Sequence, residues 1–173
     1  MDLDDTLVGH WSSVPFSYGA MEASELGLLG DGRGWSAWFN AEALCVTRLR
    51  WRCPEPGLLE LRAEWTVEGE PGPPGDVLSF SSTRTPEAAS EVTLHRYVIG
   101  PAVPMPGAVP LAAVTFEDPV EFCETYARGP REIGSGQDPA HRVLPYEAGT
   151  VPDSSSGWSA DVAKNTFASR RLQ

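Results

Sequence analysis

Alternation of apolar and polar side chains with a period of two dominates residues 24–67 and returns at 91–99. Ser24–Gly30, Gly34–Asn40, Leu44–Cys53 and Leu59–Val67 read as four strands. Asp31-Gly32 joins the first pair and Pro54-Glu55-Pro56-Gly57 the second, which makes an antiparallel meander. Val77–Ser82, Glu91–Ile99 and the short apolar run Leu111–Phe116 add further strands. Gly100–Pro110, with its four prolines, is excluded from a sheet interior.

A two-residue loop at Asp31-Gly32 pairs Gly30 with Arg33, Leu28 with Trp35 and Leu26 with Ala37. Leu26, Leu28, Trp35, Ala37 and Phe39 then share one face. In the next pair, Cys45, Thr47, Leu49, Trp51 and Cys53 face the same way as Leu59, Leu61, Ala63, Trp65 and Val67. Arg48, Arg50 and Arg52 fall on the opposite side. A five-residue loop sets Arg52 against Glu60 and Arg48 against Glu64, with Arg50 against Arg62, so the arginine row reads as a solvated outer face.

Asp118-Pro119-Val120-Glu121 carries a helix N-cap, a first-turn proline and an acid. Phe122 with Tyr126, and Val120 with Cys123 and Ala127, complete a helical stripe that Gly129-Pro130 ends. The expected fold is therefore all-β: an antiparallel barrel of about eight strands over 1–128, one short C-terminal helix, and an irregular tail over 129–173. A weak helix around Ser159–Ser169 is expected to dock Trp158 or Phe167, and a chain cut at Gly134 is expected to keep its fold.

Charge narrows the partners. The net charge is −11, and five basic and five acidic residues lie from Gly129 onward, which leaves 8 basic against 19 acidic in the body. Such a body repels phosphate backbones, so no nucleic-acid partner is expected. The N-terminus, Met1-Asp2-Leu3-Asp4-Asp5, lacks an apolar run, and no stretch suits a membrane span; a cytoplasmic protein without a membrane partner is expected. Cys45 and Cys53 on one strand lie about 26 Å apart, too far for a disulfide, and reduced thiols fit that compartment.

Leu7-Val8-Gly9-His10-Trp11, followed by the meander and a late helix, resembles the lipocalin-like (calycin) β-barrels over roughly residues 3–128. The match is to that family's Gly-x-Trp turn, in which the Trp closes the floor of the barrel. The second lipocalin signature, Thr-Asp-Tyr between later strands, is not present, and small cytoplasmic lipocalin-like proteins of bacteria are the closer comparison. The resemblance implies an interior able to hold one small ligand.

No nucleophile elbow, phosphate loop or metal-ligand spacing occurs, so neither cofactor nor metal is expected. The glycines of Gly30-Asp31-Gly32-Arg33-Gly34 belong to a hairpin turn. His10 is expected to cap the floor and His141 to lie idle in the tail. His95 shares a face with Thr93, Tyr97 and Ile99, against Leu94, Arg96 and Val98. Burying Arg96 is costly, so His95 and Tyr97 are expected inward, where His95 would titrate near pH 6–7.

Expected ligand-lining residues are Trp35, Phe39, Trp51, Trp65, His95 and Tyr97, the last two also as candidate acid–base groups. Three functions compete: binding of a small apolar molecule or metabolite, cofactor-independent isomerase or cyclase chemistry, and protein interaction through the acidic face or Arg170 and Arg171. An open apolar interior favours the first, an open interior exposing His95 or Tyr97 the second, and a solid one the third.

Overall fold

A computed structural model describes residues 2–75 and 77–146. Its strands are β1 (Gly9–Ser12), β2 (Glu22–Leu28), β3 (Arg33–Asn40), β4 (Leu44–Glu55), β5 (Leu58–Pro71), β6 (Phe80–Thr83), β7 (Glu87–Ala88), β8 (Val92–Ala102), β9 (Leu111–Val120) and β10 (Cys123–Arg128). Eight of them close a ring in the order β4-β3-β2-β1-β10-β9-β8-β5, and β5 pairs back to β4. All pairings are antiparallel, so the chain is the expected all-β barrel, without open edges around the ring. β6 and β7 pair only with the far part of β5. Among the described residues, no helix is long and apolar enough to cross a membrane.

The helix expected after Asp118 is instead the turn into β10. Val120 pairs with Cys123, and the two residues between them, Glu121 (φ 46°) and Phe122 (φ 68°), are both left-handed. The local helix signals lose to ring closure: β10 pairs with β9 on one side and β1 on the other, and supplies buried Tyr126 to the interior. Only short one-turn helical pieces, Val14–Phe16 and Ser135–Gln137, occur among the described residues.

Two register features reassign the faces. The β2–β3 connection has three loop residues, since Leu29 N–H donates to Arg33 O at 2.9 Å and Leu28 pairs with Gly34. Gly32 (φ 83°) supplies the left-handed residue such a loop needs. A slip of one residue turns every side chain over, so Trp35, Ala37 and Phe39 lie opposite to the expected face. On β5, Arg48 pairs with Trp65 but Leu49 with Ala63, which leaves Glu64 as an extra residue. Leu59, Leu61 and Ala63 therefore face inward, while Trp65 and Val67 face outward.

The interior core contains Trp11, Leu26, Leu28, Leu49, Trp51, Leu59, Leu61, Val114, Phe116 and Tyr126. Trp11 is fully buried at the lower end; its indole N–H donates to Leu7 O at 2.8 Å, and the Arg128 guanidinium lies 4.3 Å from its ring centre. The floor is completed by the N-terminal stretch, where Cys53 N–H donates to Asp2 O at 2.7 Å.

A second core lies outside the ring. Trp35, Ala37, Leu44, Val46 and Val67 are covered by Ala140, Ile133 and Val143, with Leu78 and Phe80 alongside. Gly27 makes room for it, since a Cβ there would lie 2.2 Å from the Trp35 indole. The arginine row is accordingly split. Arg50 and Arg52 pair with Glu64 and Glu60 at 3.0 and 2.9 Å. Arg48, expected in solvent, is buried instead: it donates to Asp138 at 2.9 and 2.6 Å and lies 3.7 Å from the Tyr146 ring centre. Residues 129–146 lack strands, as expected, yet they pack against the barrel, and a cut at Gly134 would remove Asp138 and Ala140. The expected helix over 159–169, with Trp158, Phe167, Arg170 and Arg171, lies outside the described residues.

Asp138→Ala should destabilise the fold by about 3–5 kcal/mol, because it leaves the Arg48 charge buried without its carboxylate. Chemical denaturation is the measurement. Adding Arg48→Met should recover part of the loss; a double variant weaker than the single one would mean that Arg48 is not the group that depends on Asp138.

Candidate functional site

Small side chains crowd one half of the barrel interior. Below, the inward positions hold Trp11, Trp51, Leu26, Leu59 and Phe116, all at or below 2% exposed. Above, where the β3–β4 and β9–β10 turns lie, they hold Ser24, Ser36, Cys45, Thr47, Ala63 and Thr93, with Trp38 at the rim. Trp38, Cys45, Thr47, Ala63 and Thr93 remain half-buried. Serine, threonine and alanine where the lower half has tryptophan and leucine make the upper interior, called the cup, less bulky and more polar than the floor.

Glu121 reaches into this cup from the β9–β10 turn. The Ser36 hydroxyl on β3 donates to Glu121 Oε1 at 2.6 Å. Burial, and to a smaller extent the charge of Glu91, pushes the Glu121 carboxyl above the usual carboxylate range. Below it, the Ser24 and Tyr126 hydroxyls lie 2.7 Å apart, and Tyr126 O–H donates to Val120 O. The turn that aims Glu121 inward is costly. Two consecutive left-handed positions suit Asn-Gly, and a residue with a Cβ costs about 1–2 kcal/mol at each. Phe122 nevertheless stands 77% exposed, beside a rim that also bears Tyr18 and Met21 at 83% and 92%. Strain that leaves a large aromatic in water is a mark of a functional surface.

His95 faces inward, as expected, because its strand neighbours on that face, Thr93 and Tyr97, sit opposite Leu61 and Phe116. Leu94 and Val98 point outward at 44% and 71% exposed. The His95 ring lies edge-on to Phe116, with centroids 6.0 Å apart. Its Nδ1 lies 3.2 Å from Asp118 O and its Nε2 lies 2.9 Å from Thr93 Oγ1. A carbonyl only accepts, so Nδ1 carries the proton and Nε2 accepts from the threonine. Burial lowers the His95 pKa from that of a free imidazole, against smaller opposing effects of Asp118 and Glu91. The ring is a neutral, doubly hydrogen-bonded wall of the cup.

The other expected residues scatter. Trp51 is inward but lies in the floor, with its indole N–H donated to Leu29 O at 2.9 Å. Tyr97 is inward and low: its hydroxyl donates to Asp4 Oδ2 at 2.5 Å and meets Cys53 Sγ at 3.7 Å. Burial and the Asp4 hydrogen bond raise its pKa, which removes it from acid–base work near neutrality. Trp35, Phe39 and Trp65 lie on the outer face and do not line the interior. His10 does not cap the floor; it sits on the outer face, 2.9 Å from Glu25 Oε2. His141 borders an external cleft of about 420 Å³ between β6 and residues 136–143. Ser36, Trp38 and Glu121 were hidden by the slipped register of β3 and the helix-like run at 118–127, whereas Thr47 was already on the inward face of its strand.

Comparison with protein-family models, curated proteins and solved structures found no match. The class that the geometry defines is a closed eight-stranded antiparallel β-barrel, its interior packed with large apolar side chains at one end and lined by smaller, more polar ones at the other.

Two outcomes follow. Stability should fall as pH drops through 6.5, because the unfolded chain gains a proton on His95 that the folded chain resists. In urea unfolding at pH 7.5 and 5.5, His95→Gln should lose less than the parent protein, by up to about 1 kcal/mol; equal losses would contradict a buried neutral His95. Phe122→Gly should raise stability by about 1 kcal/mol by relieving a left-handed position, and a lower denaturation midpoint would show that the exposed ring makes stabilising contacts.

Proposed function

We propose that this protein binds a small, largely apolar molecule in the upper half of its barrel, in the manner of the lipocalin-like barrels. The observation that carries the reading is the division of the interior: large apolar side chains fill the floor, while Ser36, Thr47, Ala63 and Thr93 put small side chains at the mouth end. Exposed Tyr18, Met21 and Phe122 at the rim offer an apolar approach. The lipocalin-like assignment is supported by Leu7-Val8-Gly9-His10-Trp11, whose Trp11 sits in the floor beneath Arg128. Gly9 (φ +130°) is fitted to that place, since a Cβ would come within 2.8 Å of Pro130 O.

Binding is favoured over isomerase or cyclase chemistry by the state of the two candidate acid–base groups. Both His95 nitrogens are engaged, and Tyr97 is committed to Asp4. A cytoplasmic setting is proposed with it, because Cys45, Cys53 and Cys123 form no disulfide and suit a reducing compartment.

The test is titration with the neutral fluorophore N-phenyl-1-naphthylamine. Saturable enhancement is expected, with affinity at least tenfold weaker (about 1.4 kcal/mol) in Thr47→Phe, which fills the cup. Leu94→Phe, on the outer face, should bind as the parent does. Binding unaffected by Thr47→Phe would place the probe elsewhere and overturn the reading.

A further inference from the structure

We propose that the cup selects a protonated amine with an apolar body and rejects carboxylates, the Glu121 carboxylate receiving the ammonium group. This rests on the binding reading above and names the chemistry of the occupant. Two features lead to it. Glu121 Oε1 accepts from Ser36 on the inward face of β3, which holds the carboxyl at the upper interior. No arginine pairs with Glu121 among the described residues, although most other ion pairs of the barrel are arginine–carboxylate. A carboxylate held away from water without a cation is unfavourable, and a bound ammonium removes that penalty.

The remaining groups around the cup point the same way. Ser36, Thr47 and Thr93 supply neutral hydroxyls, and His95 is neutral. Glu91, where the chain enters β8, acts on both Glu121 and His95 and adds negative potential. Tyr126 beneath is uncharged because burial raises its pKa. At the rim, the Trp38 indole N–H donates to Glu22 Oε2 at 3.2 Å. Trp38 shares the inward face of β3 with Ser36 two residues away, so the two Cα atoms lie about 6–7 Å apart and both side chains face the upper interior. An aromatic face beside a carboxylate is the pairing that holds ammonium groups. A ligand carboxylate entering here would meet Glu121 and Glu91, and a cation at that end, Arg84, is already paired with Glu68 at 3.4 Å.

The strained turn fits this assignment. Asn-Gly at 121–122 would relax the backbone but would leave the cup without its charge.

Calorimetric titration at pH 7.5 compares 2-phenylethylamine with 3-phenylpropanoate, molecules of similar size and opposite charge, with N-phenyl-1-naphthylamine as the neutral reference. The amine should bind the parent protein at least tenfold more tightly than the acid. In Glu121→Gln that ratio should shrink to about twofold or less, with the neutral probe still bound. Equal affinity for the two charged ligands, a preference for the acid, or a ratio unchanged in Glu121→Gln would each overturn the amine assignment. If the neutral probe binds the cup while the amine shows no advantage, only this inference fails. If none of the three binds, the cup fails with it. Because the amine–acid comparison is made on the parent protein, it stands even where a variant does not fold.

Discussion

Glu64 has no place in the ladder between β4 and β5, and the organisation of the barrel depends on that one extra residue. On one side of it, Ala63 pairs with Leu49 and Leu61 with Trp51, all facing inward. On the other, Trp65 pairs with Arg48 and Val67 with Val46, all facing outward. A strand with unbroken odd-numbered apolar residues thus serves two cores. The outer one needs a cover, which residues 130–146 provide, and the buried Arg48 beneath that cover needs Asp138. Asp138 sits in the covering segment, so the bulge, the outer core and the docked C-terminal segment form one dependent chain of interactions.

Much of the architecture was legible because period-two alternation survives even where the faces are misassigned. The Arg52–Glu60 and Arg50–Arg62 pairings follow from loop length alone and stand in the structure. Arg96 correctly set the parity of β8, since its charge is cheaper outside. What failed did so where one residue of register carries all the information. A two-residue and a three-residue loop at Gly30-Asp31-Gly32 are both good turn chemistry, yet they place Trp35 on opposite faces. Nothing local to Ala63-Glu64-Trp65 announces a bulge, because both sides of it are apolar. At 118–127 a proline, an acid and an i, i+4 aromatic pair make a sound helix on local grounds. Only the demand of β1 and β9 for a strand between them decides otherwise.

The candidate site inherits the same logic. Trp38 and Ser36 became interior only when β3 shifted by one residue, and Glu121 became interior only when the helix became a turn. Placing Glu and Phe at two left-handed positions sacrifices stability for a carboxyl aimed at Ser36 and an aromatic at the rim. The lower half shows the opposite economy, with Trp11, Trp51 and Tyr126 each satisfying its polar atom on a nearby backbone carbonyl. A rigid, filled floor beneath a strained and polar mouth is the arrangement expected when one end of a barrel holds structure and the other receives a ligand.

The native thiols report on this division directly. Cys45 faces the upper interior opposite Trp38, whereas Cys53 is buried in the floor against Tyr97. The deciding measurement is the alkylation rate of each cysteine in the folded protein, read by peptide mass spectrometry with iodoacetamide, in the absence and presence of saturating N-phenyl-1-naphthylamine. Cys45 should react under native conditions and be protected by the probe, while Cys53 should react only as the fold opens globally. Equal reactivity of the two thiols, or a Cys45 that reacts only on unfolding, would contradict an open cup above a filled floor.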